Sequence, residues 1–484
     1  MNKAAKIVYC ALFFAVCATP LALMPFVESN AEIEKKALTE MPAFISEGKI
    51  NTNFSEQFES WFNDRLPLRS QLLSAANLVK SELLTSPSSN VITGSDGYIF
   101  FDTDKLDYMN TNAMTDSQIK AMAVTLSLIQ ENVKAKNGSF TFVPMPNKAS
   151  VYDDKFPACY KKAEENNLSR LTKQLDELGV NYVDMLSLMN SHKEEGIYHK
   201  RDSHWNYLGA LYGYDAIMNS LGKAHKTYNG VTYDLVKDWR GDLDKLLYPS
   251  GGFMDYQYRL NIDYQPFRFT APVGVTDTQA QLEIFMSDKE ENDNRIGTAN
   301  MGEVDNTRLY MVRDSFGRAL LPFFIDNYKN AMFVRTDCPE LSMVAEGGDM
   351  VYEIVERNLK NLINTAPFMF GPEREGISAE GLSDGGSIET VASDEGYAIR
   401  VYGALPDDAD MGNGRVYVKL SKDGEEHTFE AFPIYEKKFL GENGTNGFSL
   451  MIDPSLGLSG TYKTTVICGG TVRSGSDAVI EAKQ

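Results

Sequence analysis

A chain of 484 residues, 43 % of them apolar, is long enough for two or three domains and can bury a sizeable core. Its formal charge of −20 leaves no basic stripe, so neither nucleic acid nor an anionic membrane face is expected as a partner. Five histidines and five cysteines show no His-x-x-x-His or Cys-x-x-Cys spacing, so no metal and no cofactor are expected, and three scattered cysteines after Cys17 argue against a disulfide framework.

At the amino terminus, Lys3 and Lys6 precede a mostly apolar run from Ile7 to Val27, about the length that crosses a ~30 Å hydrocarbon layer. Residues 1–27 therefore read as an export signal, either a cleaved signal peptide or a retained membrane anchor. Ser29-Asn30-Ala31 is only a fair match to an Ala-x-Ala cleavage site, which favours retention. The flanking charge places the remainder outside the cytoplasm, anchored to the outer face of the membrane or secreted if the signal is cleaved.

Residues 28–90 read as a mostly helical lead-in, with apolar spacing at Phe54, Phe58, Trp61 and Phe62, that packs on the domain after it. From 91 to 368 the pattern alternates between strand and helix. Thr93 to Gly97 is a turn before the strand-like Tyr98 to Phe101. Thr115 or Asp116 can cap a helix with apolar positions at Ile119, Met122, Leu126, Ile129 and Val133, stopped by Asn137-Gly138. Ser139 to Val143 is a buried strand; Leu168, Leu171, Leu175 and Leu178 mark a second helix closed by Gly179, and Val180 to Val183 another strand. A third helix carries Leu208, Leu211, Ile217 and Leu221, with Gly222 as its stop. Strands and helices in this order predict an α/β domain with a parallel sheet covered by helices on both faces. Residues 223–305 are less regular and read as an insertion bordering the site. The composition of 369–386 suits a linker, and 387–484 changes to a period of two, which predicts a small all-β sandwich.

Two stretches carry candidate chemistry. Arg201-Asp202-Ser203-His204-Trp205 sets a carboxylate two residues before an imidazole, and Arg313-Asp314-Ser315-Phe316 follows the apolar run Leu309 to Val312, so Ser315 falls at a strand-to-helix turn. A serine nucleophile needs a base for its proton and an acid residue that holds the base's tautomer; Ser315, His204 and Asp202 supply the three. Alone, each stretch has a plain structural explanation, a helix cap for the serine and a turn for Asp-x-His. The backbone N–H groups around Ser315 are the first candidates for an oxyanion site, and Asn147, at the end of a neighbouring strand, is the second. Arg313 is a candidate to line the pocket and meet an anionic sugar.

The same stretches belong to a set of short motifs in fixed order. These are Phe62 to Arg69, Val91 to Phe100, Pro146-Asn147-Lys148, Tyr198 to Trp205, Gly241-Asp242-Leu243, Arg313 to Gly317 and Val355 to Leu359. With them the chain resembles the DHHW family of exported bacterial proteins and, more distantly, the alginate O-acetyltransferase group of SGNH-hydrolase-like enzymes. In that group the Asp-x-His pair precedes the serine, as here. The resemblance implies an SGNH-hydrolase-like fold and an O-acetyltransferase that works on a cell-surface or exported polysaccharide through an acetyl-serine. It also implies a membrane-bound acetyl-donor protein as a partner and carbohydrate binding by the C-terminal β domain. An acetyl esterase of the same fold and a noncatalytic glycan-binding surface protein are the alternatives. Ser203 stands where the family has the first His of Asp-His-His-Trp, and its side chain is expected to point away from Ser315.

Overall fold

The computed structural model describes residues 3–27, 39–46, 49–271, 293–406, 409, 411–435 and 446–480. Ser29-Asn30-Ala31 lies outside them, as does the middle of the 223–305 stretch. Helix α1 (Lys3–Leu23) is long and apolar enough to cross a membrane, and it is 6 % buried over its most apolar stretch. Helices α2 (Phe54–Arg65) and α3 (Arg69–Leu83) follow, and then a small hairpin pairs Val91–Thr93 with Ile99–Phe101.

The next domain is built on six strands: β1 (Phe140–Met145), β2 (Phe267–Ala271), β3 (Arg295–Asn300), β4 (Asn306–Arg313), β5 (Tyr328–Arg335) and β6 (Asp349–Val355). Their order across the sheet is β1-β6-β4-β5-β3-β2. The first four run parallel; β3 and β2 add to the far edge antiparallel. The expected parallel sheet is thus mixed, and part of what reads as an insertion supplies its edge. The sequence hides this because β2 and β3 are only partly buried and mix Thr, Arg and Asn with their apolar residues. Val180 to Val183 contributes a single parallel bridge, Tyr182 beside Phe142, instead of a full strand.

Successive residues of a strand face opposite sides of the sheet, and here both sides are covered. Leu309 and Met311 of β4 point into one core with Trp205, Leu208, Tyr214 and Phe324, while Tyr310 and Val312 point into the other with Ile119, Leu126, Ile129 and Leu171. An unbroken apolar run is what such a strand requires. The covering helices are α4 (Asp116–Ala135) and α5 (Asn167–Leu178) on one face, α6 (Met185–His192) and α7 (Tyr207–Ser220) on the other. Thr115 caps α4 with a full capping box to Gln118, and Gly179, at φ +63°, ends α5 in a conformation that costs other residues more.

The C-terminal nine strands form the expected all-β domain, as one continuous sheet that curls on itself. The long strand Glu425–Ile434 pairs with Val416–Lys422 along most of its length and with Gly447–Ile452 at its end, so it belongs to both halves. The segment read as a linker is docked. Gly371 N donates to Met451 O at 2.8 Å, and Arg374 donates to Glu131 of α4 at 2.6 Å and to Glu430 of the β domain at 2.7 Å. Residues 383–387 of that segment form a strand.

Candidate active site

The site lies at the C-terminal edge of the parallel strands, where an open α/β sheet offers its loops. Ser315 follows β4 and caps the short 3₁₀ helix Phe316–Leu320, which passes into helix Leu321–Asn327; its φ of −69° and ψ of −25° are unstrained. Asp314 fixes the turn. One carboxylate oxygen accepts from Phe316 N at 2.8 Å and the other from Val355 N at 2.9 Å, tying it to the end of β6. Trp205 Nε1 donates to Phe316 O at 2.9 Å and so joins the turn to the loop that bears the histidine.

That loop, 199–206, ends where Asn206 caps α7 by accepting from Leu208 N and Gly209 N. His204 Nε2 lies 2.8 Å from Ser315 Oγ, and its Nδ1 lies 2.7 Å from Asp202 Oδ1. Asp202 also accepts from His204 N, Trp239 Nε1 and Asp242 N, each at 3.0 Å, so both of its oxygens are fully used. Burial opposes the charge of this carboxylate, but the hydrogen bond and charge of His204 outweigh it and hold its pKa well below the usual range. For His204, burial disfavours the charged ring, and Asp202 more than offsets that, so its pKa is raised. The structure therefore brings together the three residues that the sequence singled out.

Two further residues bear on this array. Asp242 opens helix α8 (Asp242–Leu247), with Oδ2 at 3.6 Å from His204 Nδ1. Ser203 bridges the two: its hydroxyl donates to Asp242 Oδ2 at 2.6 Å and sits 3.2 Å from His204 Nδ1. Ser203 is thus on the ring edge remote from Ser315, as expected, but in contact with the imidazole. Burial and the charge of Asp202 push the pKa of Asp242 up, so the two carboxylates are held apart in acidity. Asp242 gets this close because the preceding residue is glycine, where a Cβ would overlap the Arg201 carbonyl. The donor atoms of Asp202, His204 and Asp242 lie within 4.8 Å of one another. The N–H groups aimed at both oxygens of Asp202 suit a hydrogen-bonded network and not a cation.

Lys148 is the second. Fully buried, its ammonium donates to the carbonyls of His199 and Lys200 at 3.1 Å and of Asp202 at 2.6 Å. Three donors meet three acceptors of the loop, and burial lowers its pKa to about 8. Lys148→Met leaves the buried carbonyls of His199 and Asp202 unpaired at about 1–3 kcal/mol each, while Lys200 O keeps its bond from Ile99 N. We expect a loss of several kcal/mol in denaturant unfolding and a loss of activity that persists under conditions where the variant is fully folded. Neither periodicity nor spacing marks Lys148 or Asp242; both stand only within the resembling motifs.

Two candidates are corrected. Asn147 is buried, and its side-chain amide donates to Asp107 Oδ2 at 2.9 Å while its Oδ1 accepts from Arg357 at 3.3 Å, so the amide is occupied far from an oxyanion role. Arg313 is also buried, with its guanidinium on Asp293 at 2.7 Å, which makes it a structural ion pair and not a pocket residue. At the turn itself, Phe316 N is taken by Asp314, whereas Ser315 N makes no hydrogen bond among the described residues.

Residues 91–290 match the family model of the SGNH hydrolase-like domain of the acetyltransferase AlgX. Over that span the chain is similar to an SGNH hydrolase-like domain. The matched span takes in Asp202, His204 and Asp242 and stops short of Ser315. Among solved structures, a DHHW family protein from Eubacterium siraeum is 15 % identical, covering 56 % of this chain and 91 % of its own, with a TM-score of 0.41. PatB1 of Bacillus cereus is 18 % identical over 56 % of this chain and 96 % of its own, at 0.44. AlgX of Pseudomonas aeruginosa is 12 % identical over 75 % and 86 %, at 0.34. No curated protein matches the chain.

Proposed function

We propose that the chain is a serine-dependent O-acetyltransferase that acts outside the cytoplasm on a cell-surface or exported polysaccharide, held at the membrane by α1. The observation that carries this reading is the unbroken chain from Ser315 Oγ through His204 to Asp202, at 2.8 and 2.7 Å. The AlgX-type domain supports the choice of acetyl as the group and a polysaccharide as the acceptor.

In this mechanism Ser315 Oγ attacks the carbonyl carbon of an acetyl ester while His204 Nε2 takes its proton. Asp202 keeps the proton of Nδ1 in place and stabilises the imidazolium. The N–H of Ser315 faces the oxyanion. The tetrahedral species collapses as His204 returns the proton to the leaving oxygen, and an acetyl-serine remains. A sugar hydroxyl then gives up its proton to His204 and attacks the acetyl carbon; the bond from that carbon to Ser315 Oγ breaks, His204 Nε2 returns the proton to Oγ, and the O-acetyl sugar leaves. Water in its place yields acetate, the esterase outcome. Incubating the chain with an activated acetyl ester and an oligosaccharide, then weighing acetyl sugar against free acetate, tests the reading; acetate alone would mean hydrolysis, and activity surviving in Ser315→Ala would remove it altogether.

A pH dependence follows. His204 must be neutral to act as base, and its pKa is raised above the ordinary 6.5. Activity should be lost as pH falls through a midpoint above that value. Asp202→Asn removes the group that raises it, so the midpoint should move down even as the plateau drops, which a pH profile of kcat/KM would read directly.

A further inference from the structure

Helix α3 turns its polar side inward. Ser74 and Asn77 are its buried residues. Asn77 Nδ2 donates to Leu247 O at 2.8 Å, the Ser74 hydroxyl meets that of Ser250 at 2.9 Å, and Ser81 meets Tyr248 Oη at 2.9 Å. Residues three or four apart share one side of a helix, so Ser74, Asn77 and Ser81 form a single polar stripe against 247–250. The other side carries Leu72, Val79 and Leu83, 39, 62 and 76 % exposed, with Leu68 one turn earlier. Nothing among the described residues covers them. A surface helix of a soluble domain has the opposite arrangement, apolar inward and polar outward.

The preceding stretch has the same character. Met41, Phe44, Ile45 and Ile50 are more than half exposed, and before them α1 presents almost its whole apolar surface outside the fold. The geometry points to α3 as an interfacial helix that lies on the bilayer, its Leu72, Val79 and Leu83 stripe dipped among the lipids and its Ser74, Asn77 and Ser81 stripe holding the catalytic domain above. This rests on the reading of α1 as a retained anchor. A stripe of four large side chains offers a few hundred Å², short of the roughly 1,200 Å² that a specific dimer buries in total. A bilayer asks for no matching surface, only apolar area. The anchor adds effective concentration, since α3 starts at Arg69, tethered to Leu23 through 45 residues that include α2. Lys80 is exposed on α3 beside the stripe and can reach headgroups with its stem along the lipid. The consequence for the active site is orientation: α3 grips the segment that directly follows α8, and α8 begins at Asp242.

The test uses the full chain reconstituted in vesicles of phosphatidylethanolamine and phosphatidylglycerol. A photo-reactive amino acid is placed singly at Leu72, Val79 and Leu83, at Ser81 on the inward side, and at Phe13 in α1. We expect lipid adducts at Leu72, Val79, Leu83 and Phe13, and none at Ser81. Lipid adducts at Phe13 but not at the α3 positions would overturn the docking of α3 while leaving the anchor standing. Their absence at Phe13 would overturn the anchor itself. Cross-linked dimers from Leu83, or cross-links within one chain, would assign the stripe to a second copy or to another part of the molecule and would also overturn the proposal.

Discussion

Replacing Ser315 by alanine is expected to lower acyl transfer by roughly 10⁶-fold, and His204→Ala by about as much, with the double variant no worse than either. In the proposed mechanism both residues serve one proton transfer. His204 Nε2 and Ser315 Oγ share a single 2.8 Å contact, and no other base lies on the serine among the described hydrogen bonds. What survives should be the contribution of binding and of the oxyanion N–H. Rates of acetyl release from an activated ester for the three variants give the answer; losses that multiply would mean that the two act in separate steps. Neither substitution should unfold the chain, since among the described residues Ser315 Oγ has only the histidine as its partner and the turn is fixed by Asp314 and Trp205.

The second large effect concerns Asp202. An asparagine there has one amide that must point somewhere, and each of its two positions faces donors: His204 N and Nδ1 on one side, Trp239 Nε1 and Asp242 N on the other. Whichever way the amide turns, N–H meets N–H, or His204 is forced into the tautomer with its proton on Nε2, where it cannot accept from serine. We expect Asp202→Asn to cost about 10⁴-fold in kcat. Asp242→Asn leaves Asp202 ionised and should cost far less. It should cost more in the background of Asp202→Asn, because Asp242 is then the remaining carboxylate near Nδ1. Ser203→Ala removes the hydroxyl between Asp242 and the ring, and a modest loss replaces the near silence that its position in the sequence suggests. Measuring the double-variant cycle of Asp202→Asn and Asp242→Asn on one ester decides this; independent effects would deny Asp242 any part in holding the ring.

How far the sequence could be read depended on whether a residue's partners lie close to it in the chain. The helices 116–135 and 167–178 announced themselves through caps and period, because capping is local: Thr115 and Gln118, or Gly179 in its left-handed turn, need nothing from elsewhere. Asp202, His204 and Ser315 were visible because their chemistry is uncommon and their settings are local too, an Asp-x-His pair just before a helix cap and a serine just after a strand. Lys148 was not visible as anything but a surface-type residue, since its three acceptors belong to a loop some fifty positions away. Asp242 had the same difficulty. Arg313 and Asn147 failed in the opposite sense: each stands at a strand end, but its side chain is claimed by a carboxylate that lies 20 or 40 positions away in the chain, Asp293 for Arg313 and Asp107 for Asn147. The edge strands β2 and β3 were missed for want of a clear period.

The position of β1 has a consequence for how the chain is made. Among the described residues its sole strand partner along its full length is β6, and the contact that begins the pair, Ser139 to Asp349, spans 210 residues. Until residue 355 has been made and, on the proposed localisation, exported, the strand Phe140–Met145, every residue of it buried in the finished domain, has no ladder to join. Pairing at such separation is slow and leaves an aggregation-prone edge open in the meantime. A chain crossing the membrane from its amino terminus would spend that interval as an unfolded, helix-flanked intermediate, so its yield outside the cell should depend on chaperones that bind apolar strands far more than the stability of the completed fold would suggest.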